Sequence, residues 1–189
     1  MVERYEVQIK GCSPLIWNRM TRENQLALKK VKKTELDDYE LKNWVKKAEI
    51  NDKDEAIIPT EWLKSMLINA SKQSGVIPSF AKKKNDTYTR YIGSCVIDAV
   101  KPVCKKKDLK DYGAYLSAMG KAGGGKIWRV RPSIPKWETT FTFIDAMGKM
   151  NKQELKEILD YGGMFVGIGD SRIQSFGRFE VKSIVKKGE

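Results

Sequence analysis

Apolar and polar residues alternate along several stretches of the chain. In RYEVQIK (residues 4–10) Tyr5, Val7 and Ile9 share one face. In WETTFTFI (137–144) Trp137, Thr139, Phe141 and Phe143 do the same, and RFEVKSIV (178–185) repeats the pattern. A period of two marks half-buried strands. IWRVRP (127–132) also alternates, with Arg129 and Arg131 on one face, and YIGSCVIDAV (91–100) reads as a strand. The helical period appears in EWLKSMLINASK. There Leu63, Met66, Leu67 and Ala70 form the buried stripe, Thr60 reads as the N-cap, and Gly75 and Pro78 end the run. Residues 152–161 carry the fullest helix signature. Asn151 caps, Glu154 completes a capping box, Met150 staples onto Leu155, Leu155, Ile158 and Leu159 face the core, and Gly162-Gly163 stop the helix. A further helix is expected over 35–49, with Leu41, Trp44, Val45 and Ala48 as its apolar stripe.

The order is strand, helix, strands, helix, strand. It predicts an α+β fold in which an antiparallel sheet carries both helices on one face, the split βαβ or ferredoxin-like plan. The other face is left for insertions or a ligand. SPLIWNRM reads as irregular, AIIP (56–59) as a short apolar run, residues 22–50 as a helical insertion and residues 79–126 as a basic insertion. Within the latter, 101–125 reads as a long flexible loop ending in GKAGGG. Neither an internal repeat nor a Pro- or Ser-rich linker is visible, so 1–189 is expected to be one domain.

Composition narrows the chemistry. The chain has no His, which removes the commonest acid–base group at neutral pH and every His-containing triad or metal site. Cys12, Cys95 and Cys104 are odd in number and form no C-x-x-C, which argues for reduced thiols in a cytoplasmic protein. The N-terminal MVERYEVQIKG lacks a signal-peptide core, and no window resembles a membrane span. The net charge is +12 and is unevenly placed. Residues 79–137 hold 14 of the 36 Lys and Arg but 4 of the 24 Asp and Glu. A concentrated block of this kind points to a polyanion surface; the alternative is a solvated lysine-rich loop. Its candidate contacts are Lys82, Lys83, Lys84, Arg90, Lys105, Lys106, Lys107, Lys121, Lys126, Arg129 and Arg131. Arg129 and Arg131 are expected to face solvent or a ligand, because two unpaired charges inside are costly. Trp128 is expected in the core, with base stacking as the alternative.

Other motifs fail on inspection. Gly120–Lys126 approaches the phosphate-loop spacing, but Ile127 stands where a hydroxyl is needed and a strand follows instead of a helix. GMFVGIG lacks the dinucleotide fingerprint. No carboxylate box for a metal is apparent, and no cofactor is expected. The sharpest signal is Gly167-Ile-Gly-Asp-Ser-Arg-Ile-Gln-Ser-Phe-Gly-Arg-Phe179. Its glycines permit close backbone approach, and Arg172 and Arg178 add charge, a combination suited to a sugar-phosphate chain. A purely structural glycine corner is the alternative.

Three segments together resemble the RAMP superfamily, the RRM-like backbone subunits of CRISPR effector complexes and their stand-alone or phage-encoded relatives. They are a first strand running into GCSPLIWNR, the proline-led helix IIPTEWLKSML, and GIGDSRIQSFGRFEV. The resemblance implies an RRM-like core with a thumb- or palm-like basic insertion, assembling head to tail on single-stranded RNA or DNA, with other effector subunits as possible partners. By position it places Asn18 and Arg19 in the loop after strand one, Lys64 on the nucleic-acid side of the core helix, and Gly167, Gly169, Arg172 and Arg178 along the backbone-binding loop. Target-cleaving members use an aspartate after strand one; residues 12–22 contain none. Guide-processing relatives often use His. The expectation is therefore a non-enzymatic single-strand-binding protein without catalytic residues. The alternatives are a His-independent endoribonuclease and a phage structural or adaptor protein that binds acidic protein surfaces.

Overall fold

The structure is a computed structural model that describes residues 2–76, 79, 88–120 and 126–188. Its centre is a four-stranded antiparallel sheet of β1 (Glu3–Gly11), β4 (Val96–Asp98), β8 (Glu138–Asp145) and β9 (Phe179–Lys187), in the order β4-β8-β1-β9. Register follows the alternation. Tyr5 pairs with Phe143, Val7 with Phe141 and Ile9 with Thr139, and all six are buried. Against this face lie α3 (Thr60–Gln73) and α6 (Lys152–Tyr161), which bury Leu63, Met66 and Leu67 and Leu155, Ile158 and Leu159. Chain order within this core is strand, helix, strand, strand, helix, strand, as the sequence pattern predicts.

A second antiparallel sheet has the order β2-β7-β6, from β2 (Leu15–Ile16), β6 (Ala114–Gly120) and β7 (Lys126–Ile134). Strands β3 (Glu55–Ala56) and β5 (Cys104–Lys105) form a two-stranded ribbon. Short helices complete the chain: α1 (Arg22–Lys30), α2 (Leu36–Asn43), α4 (Tyr88–Ser94) and α5 (Leu109–Tyr112).

Several local expectations need correction. SPLIWNRM is not wholly irregular, since Leu15 and Ile16 pair with Ile134 and Ser133. Residues 88–94 are helical, so only Val96–Asp98 remains of the strand expected over 91–100; β-branched content misled there because Tyr91 and Ile92 are buried from a helix face instead. Residues 101–125 are not one loop, for they include β5, α5 and β6. Pro59, not Thr60, holds the N-cap position of α3 and offers no side-chain bond. Leu41 is 53% exposed, while Glu40 and Lys47 are buried in its place. α6 ends at Tyr161 with Gly162 as its C-cap, but the glycines do not stop the helical path. The capping box at its start is present, but its end widens into a π-helical turn, Gly162–Val166. A side chain at Gly163 would strike the Phe179 carbonyl, so that glycine serves packing.

The antiparallel pairing of β1 with β9 brings the loop after β1 and the loop before β9 to the same end of the sheet. There they lock backbone to backbone. Cys12 N–H donates to the Arg178 carbonyl (2.7 Å), Gly177 N–H to Pro14 (2.9 Å) and Asp170 N–H to Ile16 (2.9 Å). Ser13 Oγ donates to the Ser175 carbonyl (2.8 Å) and accepts from Arg178 N–H (2.8 Å). Within the loop before β9 the packing is tightest at Gly177, at φ +68°, where a Cβ would lie 1.7 Å from the Ile168 carbonyl oxygen. Gly177→Ala should therefore lower stability by at least ~2 kcal/mol, through both the left-handed backbone and the clash. Gly75→Ala, at φ +69° with nothing within 4 Å, should cost only ~1 kcal/mol. Urea unfolding of the two variants checks the contrast; equal midpoints would remove the packing argument.

Candidate nucleic-acid interface

Arg172 and Arg178 stand on this loop lock. Arg178 is half-buried, and its Nη2 donates to the Arg172 carbonyl at 3.2 Å. Its Nη1 is buried without a hydrogen-bond partner among the described residues. Burial, and then the charge of Arg172, hold its pKa below the ordinary guanidinium value. Neither arginine has a carboxylate partner among the described residues. Two neighbouring guanidiniums without a counter-charge favour an incoming anion, because its arrival relieves both repulsion and desolvation. Beside them Gly169–Gln174 line a cleft of about 370 Å³.

The glycines themselves behave differently from expectation. Gly167 and Gly177 are buried, and Gly167 N–H is spent on the Gly162 carbonyl (2.7 Å). A Cβ at Gly169 would lie 2.7 Å from the Ile16 carbonyl. The close approach these residues permit is to the chain's own backbone. Gly167 thus shapes the loop that presents the arginines, while Gly169, tight against Ile16, also lines one end of the cleft beside them.

Arg129 and Arg131 also depart from the sequence reading. Arg131 is buried and its Nε lies 2.9 Å from Asp170, while Nη1 donates to Ser117 Oγ at 2.9 Å. Arg129 Nη1 donates to Glu40 at 3.0 Å. The cost of burying these charges is met by carboxylates from distant segments, which a single strand's alternation does not reveal. Trp128, expected in the core, is 47% exposed, because the buried position on its face of β7 is Val130.

Glu40 is the hub that sequence reasoning missed. Its carboxylate accepts from Lys47 Nζ, Arg129 Nη1 and Val130 N–H, joining α2 to β7. Lys47 Nζ also donates to the Val130 carbonyl at 2.9 Å. Burial alone would raise the Glu40 pKa. The hydrogen bonds from Lys47 and Val130, with the charges of Lys47 and Arg129, outweigh it and hold the carboxyl below its ordinary value. Burial lowers Lys47 more than Glu40 raises it. Helical periodicity reads both residues as exposed charge, and nothing local in the sequence contradicts that.

A cleft of about 740 Å³ lies where Asn18 and Arg19 meet the start of α3. Gly169 packs near Trp62, which lines this cleft, so it adjoins the arginine loop. Its charge is of the wrong sign for phosphate. Glu49, Glu61 and Asp98 line it, and Arg19 is committed to Glu49 at 2.9 Å. Burial raises the Glu49 pKa; Arg19 opposes the rise and Glu61 adds to it. Arg19 is therefore not a free phosphate contact.

The remaining expected contacts are scattered. Lys64 is half-buried, lies within electrostatic reach of Cys95 and is not among the residues lining the cleft. Lys105, Lys106 and Lys107 are exposed beside the β3–β5 ribbon, and Lys106 pairs with Asp54 at 3.0 Å. Lys82, Lys83, Lys84 and Lys121 lie outside the described residues, as does Pro78; of Arg90 and Lys126 only the backbone is described. The face of β1 and β8 turned from the helices carries Arg4, Glu6, Gln8, Lys10, Glu138, Thr140, Thr142 and Ile144. None is aromatic, so these strands offer no stacking platform for bases. Burial pushes the Cys95 thiol up to about 12 and Cys104 up to about 11, which makes both poor nucleophiles. Among the described residues no group of His, Cys, Asp or Glu could hold a metal ion, and no helix is long and apolar enough to cross a membrane.

No protein-family model and no curated protein matches the chain. In overall structure it is similar to a chain of the cryo-EM structure of the Type III-B Cmr-beta bound to cognate target RNA. The TM-score is 0.58 at 11% identity, over 98% of this chain and 60% of that one. The likeness is one of fold, a mixed α+β architecture with antiparallel sheets, and this chain spans about three fifths of the other's length.

The Glu40 hub yields a stability prediction. Glu40→Gln leaves buried Lys47 facing a neutral amide and should cost ~3 kcal/mol at pH 7. Because the folded-state pKa of Glu40 lies below its unfolded value of about 4.5, its contribution is complete above that pH. It is lost as pH falls through the folded value. The gap between wild type and E40Q in urea unfolding should therefore narrow below pH 4.5, and a gap that widens there contradicts the assignment.

Proposed function

We propose that the chain is an RRM-like, RAMP-related subunit that grips single-stranded RNA by its phosphates, leaves it uncut, and assembles head to tail along the strand with further copies or other effector subunits. The observation that carries this reading is the unneutralised Arg172–Arg178 pair on the rigid loop before the last strand. Exposed Lys105 and Lys107 supply outlying positive charge. The fold likeness to a chain from an RNA-bound complex supports RNA over DNA. Support for binding without cleavage comes from the sequence, which lacks His throughout and Asp in residues 12–22. The raised thiol pKa values of Cys95 and Cys104 agree with it.

Phosphate gripping is set by charge, so it is insensitive to base sequence and sensitive to salt. Arg172→Ala with Arg178→Ala should weaken binding by a similar factor for poly(U) and mixed-sequence strands. It should also reduce the magnitude of the log–log salt slope by about 1.4, at ~0.7 per phosphate contact on a single strand. Fluorescence anisotropy across a salt series measures both. An unchanged slope places the phosphates elsewhere. End-labelled RNA incubated with the protein and divalent cations should remain full length, and a discrete product band from purified wild type would establish an endoribonuclease instead.

A further inference from the structure

The second sheet ends on a strand that nothing protects. β6 pairs with β7 along its whole length, and no further strand joins it among the described residues. Its seven residues, AYLSAMG, include no charge and no proline, in a chain in which 32% of residues are charged. Charged side chains, proline and shortness are the ordinary devices that keep an edge strand from pairing with another chain. The edges of the first sheet use them. β9 carries exposed Glu180, Lys182, Lys186 and Lys187, and β4 is three residues long and ends in Asp98.

Backbone direction shows which groups of β6 are open. On β7, Trp128 N–H donates to Asp37 (3.3 Å), Val130 N–H donates to Glu40 (3.0 Å), and the Pro132 carbonyl accepts from Trp17 N–H (3.2 Å). These residues point away from β6, so Arg129 and Arg131 point toward it, opposite Ser117 and Tyr115. In an antiparallel ladder the directions alternate, and Leu116 and Ala118 therefore turn their N–H and C=O groups outward. The two faces of the hairpin also differ. Tyr115 donates to Gln174 and Ser117 accepts from Arg131, which sets that face against the arginine loop. The other face leaves Leu116 51% and Trp128 47% exposed.

We propose that β6 pairs antiparallel with β6 of a second copy about a two-fold axis at Ser117, joining the two three-stranded sheets into one of six strands. The register is self-complementary. Leu116 of each copy stands opposite Ala118 of the other, so the outward groups of both residues find partners. Ala118 is in turn opposite Trp128 within its own hairpin. Leu116 is thus brought into the same row as the second copy's Trp128, and both lose apolar exposure. Charge argues for a second copy as the occupant. Two chains of net charge +12 repel, and a self-contact is favoured where it brings no like charges together. A two-fold contact of this kind is closed and stops at two. It goes beyond the phosphate-gripping reading and is separate from head-to-tail assembly. An in-plane two-fold keeps both arginine loops on the same face of the joined sheet, where neither is covered by the pairing.

The test uses full-length protein freed of nucleic acid. Sedimentation equilibrium across a concentration series should show a monomer–dimer equilibrium that tightens as salt rises, because screening weakens the repulsion between copies. Strand binding through phosphates responds to salt in the opposite sense. Amide hydrogen exchange over residues 114–120 should slow as protein concentration rises. Leu116→Lys, which places a charge on the edge, and Leu116→Pro, which removes an outward N–H without changing charge, should each weaken dimerisation by about tenfold or more. Thermal midpoints of the dilute variants should stay near that of wild type. A wild type that is monomeric throughout overturns the pairing. So does a dimer whose 114–120 amides exchange as in the monomer, open-ended growth beyond two copies, or a Leu116→Lys variant that dimerises as tightly as wild type. RNA anisotropy on the dilute Leu116→Pro variant reports phosphate gripping independently, so failure of either reading is recognised without the other.

Discussion

The site depends on one constraint, the backbone-to-backbone docking of the loop after β1 onto the loop before β9. Hydrogen bonds from Cys12, Asp170 and Gly177 close it, and the fit at Gly169 and Gly177 leaves no room for a Cβ. Because β1 and β9 are neighbours in the sheet, the lock fixes the arginine loop to the central four-stranded sheet. Arg172 and Arg178 are thereby held side by side although their charges repel. A flexible loop would separate them and relax; the braced loop retains the cost of their proximity, which is what an anion would relieve under the proposed function.

Charge at this end of the molecule is sorted by whether it is already answered. Arg129, Arg131 and Lys47 are neutralised by Glu40 and Asp170 and serve to fasten the β6–β7 sheet to α2 and to the arginine loop. Arg19 is answered by Glu49 in a cleft that holds more carboxylates than cations. The net charge of +12 therefore overstates the cationic surface near the site. What remains free is a small, local feature, and the functional reading rests on that feature more than on the basic composition. The open face of β1 and β8 lacks the aromatic residues that stack bases, which is why the proposed contact lies on the loops at the end of the sheet.

The strands and the two core helices were legible because they are half-buried: one face must be apolar, and Tyr5, Val7 and Ile9 or Leu155, Ile158 and Leu159 announce it. The capping box at Asn151 and Glu154 is likewise local chemistry and was readable. Elements whose burial is decided by distant partners were not. Glu40 and Lys47 look solvent-facing until Val130 and Arg129 arrive from 90 residues away, and Trp128 looks like core until Val130 takes that place. The glycines of the terminal loop mark close approach in the sequence, and that approach is to the chain's own backbone, with Gly169 also at the cleft. A sequence shows that a close approach is permitted and does not show what approaches. Arg172 and Arg178 stand out in the sequence because they lie among those glycines, whereas the full exposure of Ile173 leaves no local signal.

The most direct test of the account is to photocrosslink the protein to single-stranded RNA containing 4-thiouridine and to map the crosslinked residues by mass spectrometry. The account predicts crosslinks concentrated in residues 169–178 and the facing Ser13. Crosslinks confined to the open face of β1 and β8, or to the acidic cleft around Glu49 and Glu61, with none in the arginine loop, would contradict it.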